Sequence, residues 1–96
     1  MNTKITDAGL KEVAKLKNLK EISLRNTKIT DEGLKEVAKL QKLEQLALPD
    51  TITDEGLKEV AKLQRLRRLD LQHTKVTKAG VVELKKALPR TPIYGP

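Results

Sequence analysis

The chain has 96 residues, enough for one domain and near the lower limit at which a chain buries an adequate core alone. It holds no Cys, which excludes a disulfide framework, a thiol nucleophile and thiolate metal sites, and its one aromatic residue is Tyr94, so the core must be aliphatic. The net charge of +7 lies wholly in the last third: residues 62–96 carry nine Lys/Arg against two Asp/Glu, whereas residues 1–61 carry eleven of each. Such a basic end can attract polyanions, or serve only as a solvated face that aids solubility. Met1-Asn2-Thr3-Lys4-Ile5 has no apolar run, so no signal peptide or membrane anchor is expected there, and the chain reads as soluble and cytoplasmic.

The segment Ile29-Thr30-Asp31-Glu32-Gly33-Leu34-Lys35-Glu36-Val37-Ala38-Lys39-Leu40-Gln41 returns unchanged at residues 52–64. A close variant starts at Ile5 and a degraded one at Val76, so the blocks begin 24, 23 and 24 residues apart. Repetition at this period predicts a solenoid, in which each unit buries its apolar face only against its neighbours. The expected divisions of the single 1–96 domain are a partial rung at 1–4, rungs at 5–28, 29–51 and 52–75, and a terminating rung at 76–96.

In the first full rung, Thr6 is placed to cap a helix through its hydroxyl, and Asp7 to complement the dipole in the first turn. Leu10, Val13, Ala14 and Leu16 share one helical face, with Lys11, Glu12 and Lys15 opposite. Gly9 costs helix propensity, and its return at Gly33, Gly56 and Gly80 predicts a fixed close approach between neighbouring rungs. A change of period at Leu19, Ile22 and Leu24 then predicts a short strand over Glu21 to Arg25, with Asn26-Thr27-Lys28 turning the chain.

The second rung repeats the pattern, with a strand over Gln45 to Pro49 that should end at or before the proline. Its turn, Pro49-Asp50-Thr51, is one residue short, with no counterpart of Lys28 or Lys75. That deletion suits either a binding notch or a tolerated loop change. The third rung is full length, with Leu57, Val60, Ala61, Leu63, Leu66, Leu69 and Leu71 inward and Arg68, Asp70 and Gln72 outward. In the last, Val81, Leu84 and Leu88 keep an apolar face until Pro89 stops the helix, and Arg90 to Tyr94 adds a short strand with Ile93 inward. Short strands alternating with helices at this spacing imply parallel strands joined by right-handed crossovers.

Little in the chain points to catalysis. The single His73 follows Asp70 by three residues, but no nucleophile or second acid stands beside the pair. One His and scattered carboxylates offer no metal-ligand spacing, and the glycines are separated by whole rungs rather than gathered into a phosphate loop. No cofactor is expected. Arg65, Arg67 and Arg68 form a basic patch at the helix-to-strand turn. Nucleic acid is disfavoured as its partner, because no aromatic stacking platform accompanies it and binding would be weak and sequence-blind.

The spacing Leu16-x-x-Leu19-x-x-Ile22-x-Leu24-x-x-Thr27-x-Ile29, echoed from Leu63 to Val76, resembles the leucine-rich repeat family. The Ile-Thr-Asp-x-Gly-Leu helix start and the ending Lys86-Ala87-Leu88-Pro89 are similar to its ribonuclease-inhibitor-like bacterial subgroup of the planctomycete type. The resemblance implies an α/β right-handed horseshoe with a short parallel sheet on the concave face and helices on the convex face. It implies a non-enzymatic scaffold for protein–protein recognition, with Glu21, Ser23, Arg25, Gln45, Ala47, Pro49, Arg68, Asp70 and Gln72 presented to the partner. Thr3, Thr27, Thr51 and Thr74 stand at the family's Asn position, which implies buried hydroxyls bonded to adjacent backbone. Thr91 stands where such arrays often carry Cys. That change, the short array and the thirteen identical residues also suit a consensus-designed or trimmed module. The unpaired edge of the first strand invites a second copy, so self-association through the N-terminal rung is a further expectation.

Overall fold

A computed structural model describes residues 6–95; the expected partial rung, Thr3 included, lies outside them. Within them strands and helices alternate: α1 (Asp7–Val13), β1 (Glu21–Ser23), α2 (Leu34–Val37), β2 (Gln45–Ala47), α3 (Asp54–Val60), β3 (Arg68–Asp70), α4 (Lys78–Ala87) and β4 (Ile93–Tyr94). The strands lie in sequence order in one sheet, every pair parallel. This is the expected α/β repeat architecture, each helix lying beside the helices of neighbouring rungs and each strand beside neighbouring strands. The strands are shorter than the sequence suggests, β1 and β2 ending two residues earlier and β4 starting only at Ile93. Even so, Leu24 N–H still donates to Ala47 O (2.8 Å), and Leu48 and Leu71 continue the ladder in the same way.

One aliphatic column fills the space between the layers. Leu24, Ile29, Leu40, Leu43, Ile52, Leu69 and Leu71 are fully enclosed, each worth about 1.5–3 kcal/mol of transfer free energy. Ile93 and Leu19 pack against this column from its two ends, and Leu84 and Leu88 close it beneath α4. Leu16 departs from expectation. Its counterparts Leu40 and Leu63 are buried, but Leu16 is 50% exposed because its rung has no described rung on its outer side.

The recurring Thr-Asp-x-Gly is a joint between rungs. Thr6 caps α1 as expected, its Oγ1 accepting from Gly9 N–H at 3.3 Å. Asp7 does more than meet the helix dipole: its carboxylate accepts from Thr30 N–H (2.9 Å) and from Thr30 Oγ1 (2.5 Å) in the next rung. Asp31 holds Thr53, and Asp54 holds Thr77, in the same two-point way. The glycines follow from this. A Cβ on Gly56 would stand 2.5 Å from Asp31 Oδ1, and the clash of Gly33 with Asp7 and of Gly80 with Asp54 is closer still. The close approach predicted for the glycines is therefore the space occupied by the preceding rung's carboxylate.

The turns after the strands divide by length. In the two full-length turns, Asn26 and His73 take left-handed backbone conformations (φ 63° and 68°). The hydroxyls of Thr27 and Thr74 then donate to Leu24 O and Leu71 O, closing their own turns rather than bonding a neighbour. The short turn has no left-handed residue, and Thr51 Oγ1 instead donates to Ile29 O in the preceding turn. Thr91 likewise donates back to Leu66 O (2.9 Å). All three hydroxyls thus bond backbone carbonyls as expected, but the expected burial is corrected: of Thr27, Thr51 and Thr74 only Thr27 is buried, and only Thr51 reaches a neighbouring turn.

Candidate functional site

Alternation along a strand sends Ile22, Leu46 and Leu69 into the core and their neighbours to the open sheet face. Parallel register arranges those neighbours in rows. Glu21, Gln45 and Arg68 stand side by side across the sheet, and Ser23, Ala47, Asp70 and Tyr94 form the next row. Beyond the strand ends come Arg25, Pro49 and Gln72.

The small side chains of Ser23 and Ala47 leave a hollow of about 180 Å³, walled by Glu21, Gln45, Arg68 and Asp70. One side of it is closed by a clasp across three rungs. Arg25 Nη2 lies 3.2 Å from Asp70 Oδ1 and 3.1 Å from Gln72 Oε1, passing over the second rung. Asp70 Oδ1 also accepts from Gln72 N–H at 2.9 Å, so both of its contacts fall on one carboxylate oxygen. Pro49 is buried rather than turned outward: with no long side chain it forms the floor beneath this span, in a second hollow of about 270 Å³ with Arg25, Asn26, Asp50, Gln72 and His73.

Arg68 leans the other way, its guanidinium 4.6 Å from the centre of the Tyr94 ring, an arrangement worth about 0.5–1 kcal/mol on an exposed surface. Among the described residues the side chains of Glu21 and Gln45 form no hydrogen bond, and Arg68 forms no ion pair. The structure thus places eight of the nine expected residues on one sheet face, and corrects the ninth, Pro49, which is buried rather than outward. It divides the basic patch, since Arg68 lines the hollow while Arg65 and Arg67 are exposed in the turn before β3. His73 and Asp70 share no hydrogen bond: Asp70 is engaged by Arg25, and His73 sits in its left-handed turn.

The convex side is a lattice of ion pairs, Glu12–Lys15, Glu36–Lys39 and Glu59–Lys62 among them, each at 3.0–3.2 Å and three residues apart. Exposed pairs of this kind contribute a few tenths of a kcal/mol each. Among the described residues no three His, Asp or Glu side chains gather to hold a metal, and no helix is long and apolar enough to cross a membrane.

Parallel strands backed by helices at a 23- or 24-residue period define a repeat solenoid with one open sheet face. A family profile described as Leucine Rich repeat matches residues 15–38 and 62–85, together half of the chain. The chain belongs to the leucine-rich repeat family. No curated protein matches it. Repeats of this family generally mediate protein–protein interaction and are not, as a rule, enzymes.

Proposed function

We propose that the chain is a recognition scaffold that binds a protein partner through the concave sheet face. The observation that carries this reading is the hollow over Ser23 and Ala47, open to solvent and walled by the uncommitted polar side chains of Glu21 and Gln45. With one aromatic at its margin the face lacks most hot-spot chemistry, so the affinity is modest. The test is capture of a partner by the immobilised chain, compared between Ala47→Arg, which fills the hollow, and Lys58→Glu on the convex side. Loss with the first and retention with the second supports the reading; equal capture by both sinks it. Substituting Arg25 or Asp70 is a poorer test, because each would release the other and rebuild the face itself.

A second reading is a consensus-designed or trimmed module without a foreign ligand, which associates through its N-terminal rung. The exposure of Leu16, and the place of β1 at the edge of the sheet among the described residues, support the association. Polyanion binding by Arg65, Arg67 and Arg68 is weaker, since Arg68 is directed to the concave side. Heparin retention that disappears near physiological salt would favour it. The Ile-Thr-Asp-x-Gly-Leu starts support membership of the ribonuclease-inhibitor-like subgroup.

A further inference from the structure

We propose that the concave face is complementary to itself and pairs weakly with a second copy of this chain, sheet to sheet. This rests on the reading of that face as the recognition surface and names its occupant. A two-fold interface requires that residue i meet residue j and that j meet i. For an axis in the plane of the face and parallel to β2, β1 of one copy lies over β3 of the other, and β2 lies over β2.

The register then fixes what meets what. Glu21, Gln45 and Arg68 stand in one row, so Glu21 faces Arg68 of the second copy, Arg68 faces Glu21, and Gln45 faces Gln45. An amide carries both donors and an acceptor and can pair with itself. In the next row Ser23, a donor, faces Asp70, whose Oδ2 accepts no hydrogen bond among the described residues, and Ala47 faces Ala47 across the two apposed hollows, which leaves space for bridging water. Beyond the strands, Arg25 faces Gln72, a contact it already makes within its own chain. Every row is complementary under the same operation, and the two outer charges of the first row, Glu21 and Arg68, lack an ion-pair partner at home.

Size and charge set the strength. Three strands about 4.8 Å apart cover only a few hundred Å² per copy, below the roughly 800 Å² per partner of stable complexes. The +7 charge of each copy opposes approach, though at physiological salt it is screened beyond about 8 Å while contacts across the interface persist. The pair is therefore a weak dimer, populated toward millimolar concentration.

The purified chain alone is titrated from tens of micromolar to about 1 mM by sedimentation and by amide NMR shifts, over the range where weak interfaces associate. Concentration-dependent shifts centred on Glu21, Gln45, Ala47 and Arg68 are expected. Glu21→Arg and Arg68→Glu should each weaken association by about tenfold or more, because the two-fold repeats each lost charge pair, and the double variant should restore it to within a few-fold. A monomer throughout, association that survives both single reversals, or association lost on Leu16→Glu without shifts on the sheet overturns the proposal. A monomer whose captured foreign partner is still lost on Ala47→Arg would overturn self-pairing alone, leaving recognition intact. Capture indifferent to Ala47→Arg would instead count against recognition itself.

Discussion

Asp31, Thr53 and Gly56 act as one unit, and Gly56 shows which of two opposed effects wins. Alanine would raise helix propensity by up to about 1 kcal/mol. Its Cβ, however, enters space held by Asp31 Oδ1 at 2.5 Å and Leu34 Cδ1 at 2.8 Å, and overpacking of this kind costs about 1–3 kcal/mol. Gly56→Ala is expected to destabilise by about 1 kcal/mol or more in urea unfolding, against the sign that helix propensity alone predicts. The Thr77 hydroxyl, then its backbone N–H, hold the Asp54 carboxyl below its ordinary value of 3.8. Because the folded-state value is the lower one, the stability from this joint is present above 3.8 and is lost as pH falls through the depressed value. Melting temperature followed from neutral into acid should fall less steeply in Thr77→Val than in the parent chain. His73 supplies a further case. With φ at 68°, His73→Asn, which copies Asn26, is expected to leave stability unchanged or raise it, whereas His73→Val should cost about 1–2 kcal/mol by the same unfolding measurement.

Identical sequence does not give identical elements. Residues 29–41 and 52–64 match at every position, yet α2 has four residues and α3 has seven. Thr53 Oγ1 accepts from Glu55 N–H and starts α3, whereas residues 30–36 are joined by tighter i to i+3 backbone bonds that run into α2. Equivalent positions also differ in burial, which gives an element-scale test. Leu40→Ala should cost about 2–5 kcal/mol, while Leu16→Ala at the same place in its rung should cost under about 1 kcal/mol, both read from denaturant midpoints. The period, strand positions and aliphatic column were legible because they follow from apolar spacing alone. The Asp-to-Thr joint was not: Asp7 and Thr30 are 23 residues apart, and a first-turn aspartate has a sufficient local explanation in the helix dipole. Only the recurrence of Asp with Gly two residues later hinted that the pair serves a neighbour. Nor could alternation show that Pro49 would be covered, since that depends on Arg25 crossing above it to Asp70.

At the scale of the whole chain, neighbour-only packing makes stability a sum over rungs and the joints between them. The concave face was readable as a set of outward positions, but its inner wiring was not, because the Arg25–Asp70 bond joins residues 45 apart across an intervening strand. The joints also share one direction. Each carboxylate reaches forward to the following Thr, and the series ends where Lys78 replaces the Asp after Thr77. The array therefore has a grammar. A further copy of residues 52–75 inserted ahead of Val76 brings both a Thr to be held and an Asp to hold the next, and should lengthen the stack and raise its melting temperature. The same block placed after Lys78 meets a lysine where it needs a carboxylate, so growth has a permitted seam on one side of that residue and a full stop on the other.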